Sequence, residues 1–205
     1  MDHIFIKGHM DRPILLLLHG TGGDEYSLLD IAKAIDSKAS VLSVKGNVAE
    51  NGRSRFFRRL EEGVFDQEDL IFRTRELNDF LDNMSNKYDF DRENIIGLGY
   101  SNGANMGASL LLLYPQSLRA AMLHHPMVPF RGRAAGSLKD TSIFIGAGAN
   151  DPISSPEETK ELANILKEQN GDLYVHWENN GHNLTNTEIQ KAKAWYEENI
   201  LRKRV

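Results

Sequence analysis

Short apolar runs, often rich in β-branched residues, recur along the chain and alternate with longer amphipathic stretches. The runs have the length and composition of β-strands. They cover residues 14–18, 41–44, 95–98, 120–123, 143–145 and 173–177. The runs at 14–18 and 95–98 contain no polar residue, which is typical of strands covered on both faces, so we expect them at the centre of a sheet.

Three of the intervening stretches have apolar residues at steps of three and four, which predicts helices. The first covers 66–88, the second follows Ser155-Pro156 and the third follows Thr185. A glutamate three residues after each of these hydroxyl residues completes a capping box. Strands that alternate with helices need crossover connections, so we predict an α/β fold with a doubly wound, mostly parallel sheet flanked by helices. No internal repeat or linker divides the chain, and we expect a single domain over 1–205.

Two connections, 46–65 and 126–141, follow neither pattern. The second is too short to hold an inserted lid domain. Long connections often line functional sites, although charges in loops are usually only solvated. The first connection is rich in arginine, with Arg53, Arg55, Arg58 and Arg59.

Composition removes several classes of function. The absence of cysteine excludes a thiolate nucleophile, a cysteine-based zinc site, an iron–sulfur cluster and a disulfide scaffold. The formal net charge of −5 is not that of a nucleic-acid-binding protein. The longest apolar runs are far shorter than the roughly 20 residues that cross a bilayer. We therefore expect a cytoplasmic protein with no secretory signal, no membrane insertion and no nucleic-acid partner.

Residues 99–103 read Gly-Tyr-Ser-Asn-Gly and match the pattern G-x-S-x-G. The run at 95–98 leads directly into this motif, and a stretch of small and apolar residues follows it, which predicts a strand, a sharp turn and a helix. In such a nucleophile elbow the serine has a strained backbone, and the glycines avoid collisions with the strand and the helix. Ser101 is therefore the candidate nucleophile, and an ordinary strand-to-helix turn is the alternative.

A serine hydroxyl needs a base to take its proton, and a carboxylate to orient that base. Among the seven histidines, His182 lies in a polar loop between the last predicted strand and helix. Asp151 ends a glycine-rich exit from the run at 143–145, whereas Asp140 and Asp172 precede strands and would lie at the opposite edge of a parallel sheet. A solvated histidine and a turn aspartate are the alternatives, but the order serine, aspartate, histidine is that of α/β-hydrolases.

Residues 19–23, His-Gly-Thr-Gly-Gly, follow the run at 14–18. The backbone N–H groups of Thr21 and Asn102 are candidate donors to the oxyanion that forms when serine attacks a carbonyl. Taken alone, a glycine-rich turn could equally bind phosphate. The chain has neither the lysine pattern of a P-loop nor a G-x-G-x-x-G, which disfavours nucleotide binding.

His124 and His125, together with Met127, could be interpreted as soft-metal ligands. Adjacent residues on a strand point to opposite faces of the sheet, so we do not expect the two imidazoles to converge. We therefore predict no metal and no other cofactor.

Together these residues resemble the small α/β-hydrolases of the carboxylesterase and lysophospholipase group, with a more distant similarity to dienelactone hydrolases. The resemblance covers essentially the whole chain and implies an α/β-hydrolase fold without a lid domain. It also implies a triad of Ser101, Asp151 and His182, oxyanion donors at Thr21 and Asn102, and no cofactor. Dienelactone hydrolases typically have cysteine at the elbow, so the serine favours plain ester cleavage over lactone hydrolysis. The matching segments are 19–23, 99–105, 150–152 and 181–182.

The expected reaction is hydrolysis of small-molecule carboxylic esters with short or medium acyl or aryl groups. Acyl thioesterase or lysophospholipase activity is one alternative, and a noncatalytic ligand sensor with the same fold is another. A homodimer is left open. The arginine-rich connection could attract an anionic substrate, and pairing with Glu61 and Glu62 explains its charges equally well. Candidate substrate contacts, for each of which ordinary packing is the alternative, are Tyr26, Phe56, Phe57 and Met127.

Overall fold

A seven-stranded sheet runs through the computed structural model, which describes residues 1–133 and 136–202. Two small two-stranded ribbons accompany it. In chain order the strands are β1 (His3–Ile6), β2 (Ile14–Leu18), β3 (Ser40–Val44), β4 (Val48–Glu50), β5 (Arg53–Arg55), β6 (Arg59–Glu61), β7 (Val64–Phe65), β8 (Ile95–Tyr100), β9 (Ala120–His124), β10 (Ser142–Gly148) and β11 (Asp172–Glu178). The order across the large sheet is β1-β3-β2-β8-β9-β10-β11.

All neighbouring strands of the large sheet are parallel except β1, which pairs antiparallel with β3. Strands β2 and β8 are adjacent in the interior of the sheet, and every residue of β2 is buried. The predicted central position of these two runs is therefore confirmed, as is the mostly parallel α/β architecture.

Five α-helices cover the two faces of this sheet. They are α1 (Leu29–Ile35), α2 (Gln67–Tyr88), α3 (Asn102–Leu113), α4 (Pro156–Glu168) and α5 (Asn186–Tyr196), which continues into a π-helical turn at Glu197–Leu201. Alternate residues of β2 serve different cores, because successive side chains of a strand point to opposite faces. Leu16 and Leu18 pack with helices α2, α3 and α4, whereas Leu15 and Leu17 pack with α1 and α5.

The predicted helix starts agree with the structure to within one residue. The Asp66 side chain accepts a hydrogen bond from Asp69 N, so it caps α2 and the helix begins one residue later than the predicted range. Ser155 and Thr185 cap α4 and α5 by accepting from the backbone of Glu158 and Glu188. Among the described residues, no helix combines the length and apolar character that crossing a membrane requires.

Two features differ from the sequence prediction. Strand β1 was not predicted, and the segment 46–65 is not irregular, because β4 pairs with β5 and β6 with β7 in two antiparallel ribbons. The described part of 126–141 contains no helix or strand. The ribbons matter for the site because the first of them contacts the loop after β2, where the Gly22 amide donates to the Ser54 carbonyl at 2.8 Å.

Candidate active site

Ser101 lies at a sharp turn between β8 and α3. Its φ of 51° and ψ of −113° place a non-glycine residue in a sparsely populated region, which is the strain expected of a nucleophile elbow. A Cβ on Gly103 would stand 1.9 Å from the Leu18 carbonyl oxygen, and one on Gly99 would stand 2.7 Å from the Gly103 carbonyl oxygen. Both positions of the motif therefore need glycine for lack of space.

His182 extends from the loop between β11 and α5 to the serine. Its Nε2 is 2.8 Å from Ser101 Oγ, and its Nδ1 is 2.7 Å from Asp151 Oδ2. The Tyr100 hydroxyl donates to the His182 carbonyl at 2.6 Å, and the Gly181 amide donates to Asn150 Oδ1 at 2.8 Å. The histidine loop is thus tied to both β8 and the loop that carries the aspartate.

Asp151 follows the carboxyl end of β10 and is almost fully buried. Its Oδ1 accepts from the backbone amides of Ile153 at 2.8 Å and Ser154 at 3.0 Å. Burial by itself would raise the pKa of this carboxyl group, but these amides and the imidazole hydrogen bonds outweigh burial and lower the pKa below its usual value. Asp140 and Asp172 precede or begin their strands, so both lie at the opposite edge, as predicted.

The three side chains therefore form one hydrogen-bonded series from a hydroxyl through an imidazole to a carboxylate. Such a series can move the hydroxyl proton to Nε2 while the aspartate holds Nδ1–H and stabilises the imidazolium. Residues that are 81 and 31 positions apart along the chain are brought together because the carboxyl ends of parallel strands share one edge.

The predicted oxyanion donors lie in the loop after β2 and at the start of α3. Among the described residues, neither the Thr21 amide nor the Asn102 amide donates a hydrogen bond to another protein group. The amides of Gly22 and Gly23, in contrast, are used within the protein. The side chains of both candidates are fixed, because Arg55 donates to Thr21 Oγ1 and the Phe56 amide donates to Asn102 Oδ1, each at 2.8 Å.

The four predicted substrate contacts differ in how far the structure exposes their side chains. Tyr26 is 62% exposed in the turn before α1, and Met127 is half-buried, with its amide bound to Asn105 Oδ1. The prediction for Phe56 and Phe57 is wrong, because their exposed fractions are 1% and 0% and they belong to the hydrophobic core. The ribbons on either side turn both rings inward, so neither offers a surface to a substrate.

Three of the four arginines in the ribbon segment have acidic partners. Glu50 pairs with Arg55 at 3.1 Å and with Arg59 at 2.8 Å. Arg58 contacts Asp66 and Asp69 at the start of α2. The predicted pairing with Glu61 and Glu62 is thus replaced by pairing with Glu50, Asp66 and Asp69. Arg53 alone of the four has no side-chain hydrogen bond or ion pair with a described residue.

A buried ionic cluster behind the aspartate was not predicted. His125 Nδ1 is 2.9 Å from Asp151 Oδ2, and His125 Nε2 is 3.1 Å from Glu188 Oε2. His124 Nδ1 contacts the other oxygen of Glu188. The expectation that the two histidines diverge is wrong, because His125 lies just beyond the end of β9 with a φ of 54°, and this left-handed turn brings both rings to one carboxylate.

The sequence signals for this cluster were present but had other interpretations. The capping box predicts a role in the helix cap for Glu188, but only its backbone amide serves the cap. Its side chain points to the histidines.

The ligand atoms of His125, Asp151 and His182 all lie within 4.8 Å of one another. Ligand atoms about 2.1 Å from a tetrahedral zinc ion would be about 3.4 Å apart. The contacts of 2.7 and 2.9 Å to Asp151 fit shared protons instead.

Comparison with known proteins gives matches along nearly the whole chain. A family model described as phospholipase/carboxylesterase matches residues 2–200. The Bacillus subtilis (strain 168) protein named "Putative hydrolase MhqD" is 49% identical over 201 residues, which are 98% of this chain and 100% of that protein.

Solved structures give the same result. The crystal structure of the Bacillus cereus carboxylesterase is 57% identical, with a TM-score of 0.96, over 98% of this chain and 95% of that one. A structure of YahD with malic acid is 32% identical, with a TM-score of 0.92, over 97% and 98% of the two chains. The sheet, the elbow and these matches lead to one conclusion: the chain is a carboxylesterase-type hydrolase with the α/β-hydrolase fold and belongs to the phospholipase/carboxylesterase family.

Proposed function

We propose that the protein hydrolyses carboxylic esters through an acyl-enzyme intermediate on Ser101. The observation that carries this proposal is the hydrogen-bonded series Ser101–His182–Asp151, with N···O distances of 2.8 and 2.7 Å at the carboxyl edge of the sheet. Family membership supports hydrolysis in general, and the series supplies the route by which a serine hydroxyl becomes a nucleophile.

In the first half of the reaction, Ser101 Oγ attacks the ester carbonyl carbon while its proton moves to His182 Nε2. The carbonyl oxygen becomes an oxyanion, which accepts hydrogen bonds from the backbone amides of Thr21 and Asn102; neither amide donates to another group of the described residues. The oxyanion then collapses, the bond to the alkoxy oxygen breaks, and His182 gives its proton to the departing alcohol.

In the second half, water attacks the acyl carbonyl and His182 accepts a proton from that water. Collapse of the second tetrahedral species breaks the bond to Ser101, the acid leaves and the serine regains its proton from His182. Asp151 remains ionised throughout, because four hydrogen bonds to its carboxylate stabilise the charged form.

Short or medium acyl or aryl esters are the substrates that the surroundings of the serine favour. Ser101 is only partly buried, and the exposed Tyr26 and half-buried Met127 stand in segments at the same edge. No long apolar channel is needed for such groups, whereas acyl thioesters and lysophospholipids with long chains would need more buried apolar contact.

The test uses a chromogenic acetate ester and a serine-directed phosphonate on the purified chain. We expect turnover by the wild type, covalent labelling at Ser101 shown by peptide mass, and a loss of about 10⁴- to 10⁶-fold in kcat for Ser101→Ala. Ser85→Ala is the matched control, because Ser85 is half-buried on α2 and its hydroxyl contacts only the Asp82 carbonyl among the described residues.

The alternatives give different results in the same assays. A noncatalytic sensor would neither turn over the ester nor be labelled by the phosphonate. An acyl thioesterase or lysophospholipase would show kcat/KM rising steeply with chain length in matched ester, thioester and lysophospholipid series. Unchanged turnover by Ser101→Ala would exclude the proposed mechanism.

A further inference from the structure

The carboxylate that orients His182 also contacts a second histidine on its inner side. His125 approaches the same oxygen, Asp151 Oδ2, at 2.9 Å, close to the 2.7 Å of His182. The rings of the two histidines are 5.1 Å apart and inclined at 61°. Asp151 is therefore shared between a histidine that faces Ser101 and one that faces the protein interior.

The cluster behind Asp151 is fully enclosed and tightly held. Glu188 and His124 are 0% exposed and His125 is 1% exposed. The backbone of His125 is fixed on both sides, because its amide donates to the Gly146 carbonyl at 2.8 Å and its carbonyl accepts from Ser154 Oγ at 2.9 Å.

Gly146 on β10 makes room for the buried carboxylate. A Cβ at this position would stand 1.8 Å from Glu188 Oε1. A mid-strand glycine normally weakens a strand, so its place here is explained by the carboxylate that it accommodates. Gly146 thus leaves the space that the Glu188 carboxylate fills.

The number of protons in the cluster follows from its contacts. Both ring nitrogens of His125 face carboxylate oxygens, and a neutral imidazole has only one N–H to donate. Two ionised carboxylates therefore require both nitrogens to carry hydrogen. His124 differs, because its Nδ1 faces Glu188 while its Nε2 has no hydrogen-bond partner among the described residues. A neutral ring with its hydrogen on Nδ1 satisfies the contact with Glu188.

Electrostatics agrees with this count. Burial alone would lower the pKa of His125, but Glu188 and Asp151 outweigh burial and raise it. Burial alone would raise the pKa of Glu188, but hydrogen bonds from His124 and His125 outweigh burial and lower it to about 2. Both shifts favour the charged forms of the pair.

We propose that His125 is a positioning residue of this hydrolase, held as an imidazolium between Asp151 and Glu188, which locks the Asp151 carboxylate in place beneath His182. The inference rests on the proposed function only for its effect on catalysis. The protonation state itself can be measured whether or not the protein cleaves esters.

The charge of His125 also affects the base. Five titratable groups surround it. Asp151 and His182 come from the two neighbouring loops, and Glu188 comes from α5. The others are His124 from β9 and Tyr100 from β8, whose ring is 6.1 Å from that of His125. Tyr100 stays neutral because burial raises its pKa. Asp151, His125 and Glu188 together carry one net negative charge. Loss of the imidazolium would leave two, which favours protonation of His182.

The direct test is NMR of the full-length protein with ¹⁵N-labelled histidine, assigned with His125→Gln and His9→Gln. We expect both ring nitrogens of His125 to be protonated at pH 8 in the wild type. In Glu188→Gln, the new amide can donate to His125 Nε2, so His125 should become singly protonated at that pH. A neutral His125 in the wild type, or an imidazolium unaffected by Glu188→Gln, would overturn the proposal.

The catalytic test compares pH profiles of kcat and kcat/KM. For His125→Gln we expect kcat to fall about 10- to 100-fold with KM little changed, because the carboxylate under His182 is no longer locked. The acid limb of kcat/KM should move up by roughly one unit or more. In the double variant His125→Gln/Glu188→Gln the net charge is again minus one, so the limb should return toward its wild-type position.

A purely structural role would give another pattern, in which the acid limb stays unchanged and the double variant is at least as impaired as His125→Gln. That pattern overturns the proposal. Exposed His9 provides the matched control, since its side chain has no hydrogen-bond or ion-pair partner among the described residues and His9→Gln should retain wild-type profiles. If His125→Gln does not fold, the His125 signals are assigned by elimination with Gln variants of the other histidines, and the NMR comparison of wild type and Glu188→Gln still decides. Absent turnover in a wild type whose His125 is doubly protonated would count against the proposed function alone.

Discussion

His19 and His125 are two equally buried histidines that follow parallel strands, and they differ in charge. Each is 1% exposed, His19 after β2 and His125 after β9. His19 Nδ1 contacts the Gly20 carbonyl at 2.6 Å, and its Nε2 accepts from the Gly46 amide at 3.0 Å. This pair of contacts requires one proton on the ring, whereas those of His125 require two.

The pKa shifts of the two histidines have opposite signs for the same reason. Burial lowers the pKa of His19, since only a backbone carbonyl and more distant charges oppose it. At His125 the two carboxylates outweigh burial and raise the pKa. The comparison shows that the partners of a buried imidazole, more than its burial, decide whether it braces a loop as a neutral ring or holds a carboxylate as a cation.

Among the changes that test the comparison of His19 with His125, the largest effect is expected from removing a carboxylate that contacts His125. We expect Asp151→Asn to lower kcat about 10³- to 10⁴-fold. An amide NH₂ in the place of Oδ1 would face two backbone N–H donors. In the place of Oδ2 it would donate to His182 Nδ1 and favour the tautomer whose Nε2 already carries a hydrogen and cannot accept the Ser101 proton. Steady-state kinetics with the acetate ester measures the effect. Asp91→Asn, an exposed carboxylate that caps the turn before β8, should retain activity, and comparable losses in both variants would contradict this explanation.

The next largest effect is expected in the pH dependence of the free energy of unfolding, in which the contributions of His19 and His125 should have opposite signs. His19 has a lowered folded pKa, so its contribution is present above pH 6.5 and is lost as the pH falls below it. His125 has a raised folded pKa, so its contribution is full below pH 6.5 and is lost as the pH rises through the folded pKa. Each slope is limited to about 1.4 kcal/mol per pH unit.

Urea unfolding of His19→Gln and His125→Gln measures this difference. The destabilisation caused by His19→Gln should shrink on acidification from pH 7.5 to 5.5. The destabilisation caused by His125→Gln should grow on acidification from pH 8.5 to 6.5. Slopes of the same sign for the two variants would contradict the assigned charges.

The smallest effect is expected from a second comparison, between the two ribbon arginines Arg55 and Arg53. Arg55 is buried and paired with Glu50. Arg53 is exposed, and its Cγ lies 3.7 Å from the place of a Cβ on Gly22, next to the oxyanion candidate Thr21. We expect Arg53→Gln to lower kcat/KM a few-fold for an ester that bears a carboxylate, but not for its neutral analogue, and only at low salt.

Arg58→Gln is the matched control for that measurement. Its guanidinium is also exposed but pairs with Asp66 and Asp69, so its removal should leave the ratio of the two esters unchanged. Equal losses in both arginine variants would indicate a general effect of net charge and would exclude a local role for Arg53.

The sequence was sufficient to predict the sheet and the meeting of Ser101, Asp151 and His182. Buried parallel strands are continuous apolar runs, and each of the three residues follows such a run directly or in the next loop, so the edge they share is implied by chain order. The ribbons between β3 and α2 could not be predicted in the same way. They are short and highly charged, and their placement depends on tertiary contacts, such as the hydrogen bonds from the Gly22 amide to the Ser54 carbonyl and from the Phe56 amide to Asn102 Oδ1.

The cluster of His124, His125 and Glu188 could not be predicted from periodicity. The rule that neighbouring strand residues diverge holds only within a strand, and a single left-handed residue at its end reverses the result. Phe56 and Phe57 were misplaced for a similar reason, since nothing in the local pattern shows which way a ribbon turns its rings.

Gly146 and Glu188 lie on different elements, yet they share one small volume. A larger side chain at position 146 would occupy the space of the glutamate carboxylate, and a shorter acid at 188 would not reach both histidines. The residues at the two positions must therefore match in size. We expect a chimera that combines β10 and α5 from parents with other residues at these positions to lose the buried ion pair, even if every residue around Ser101 were kept.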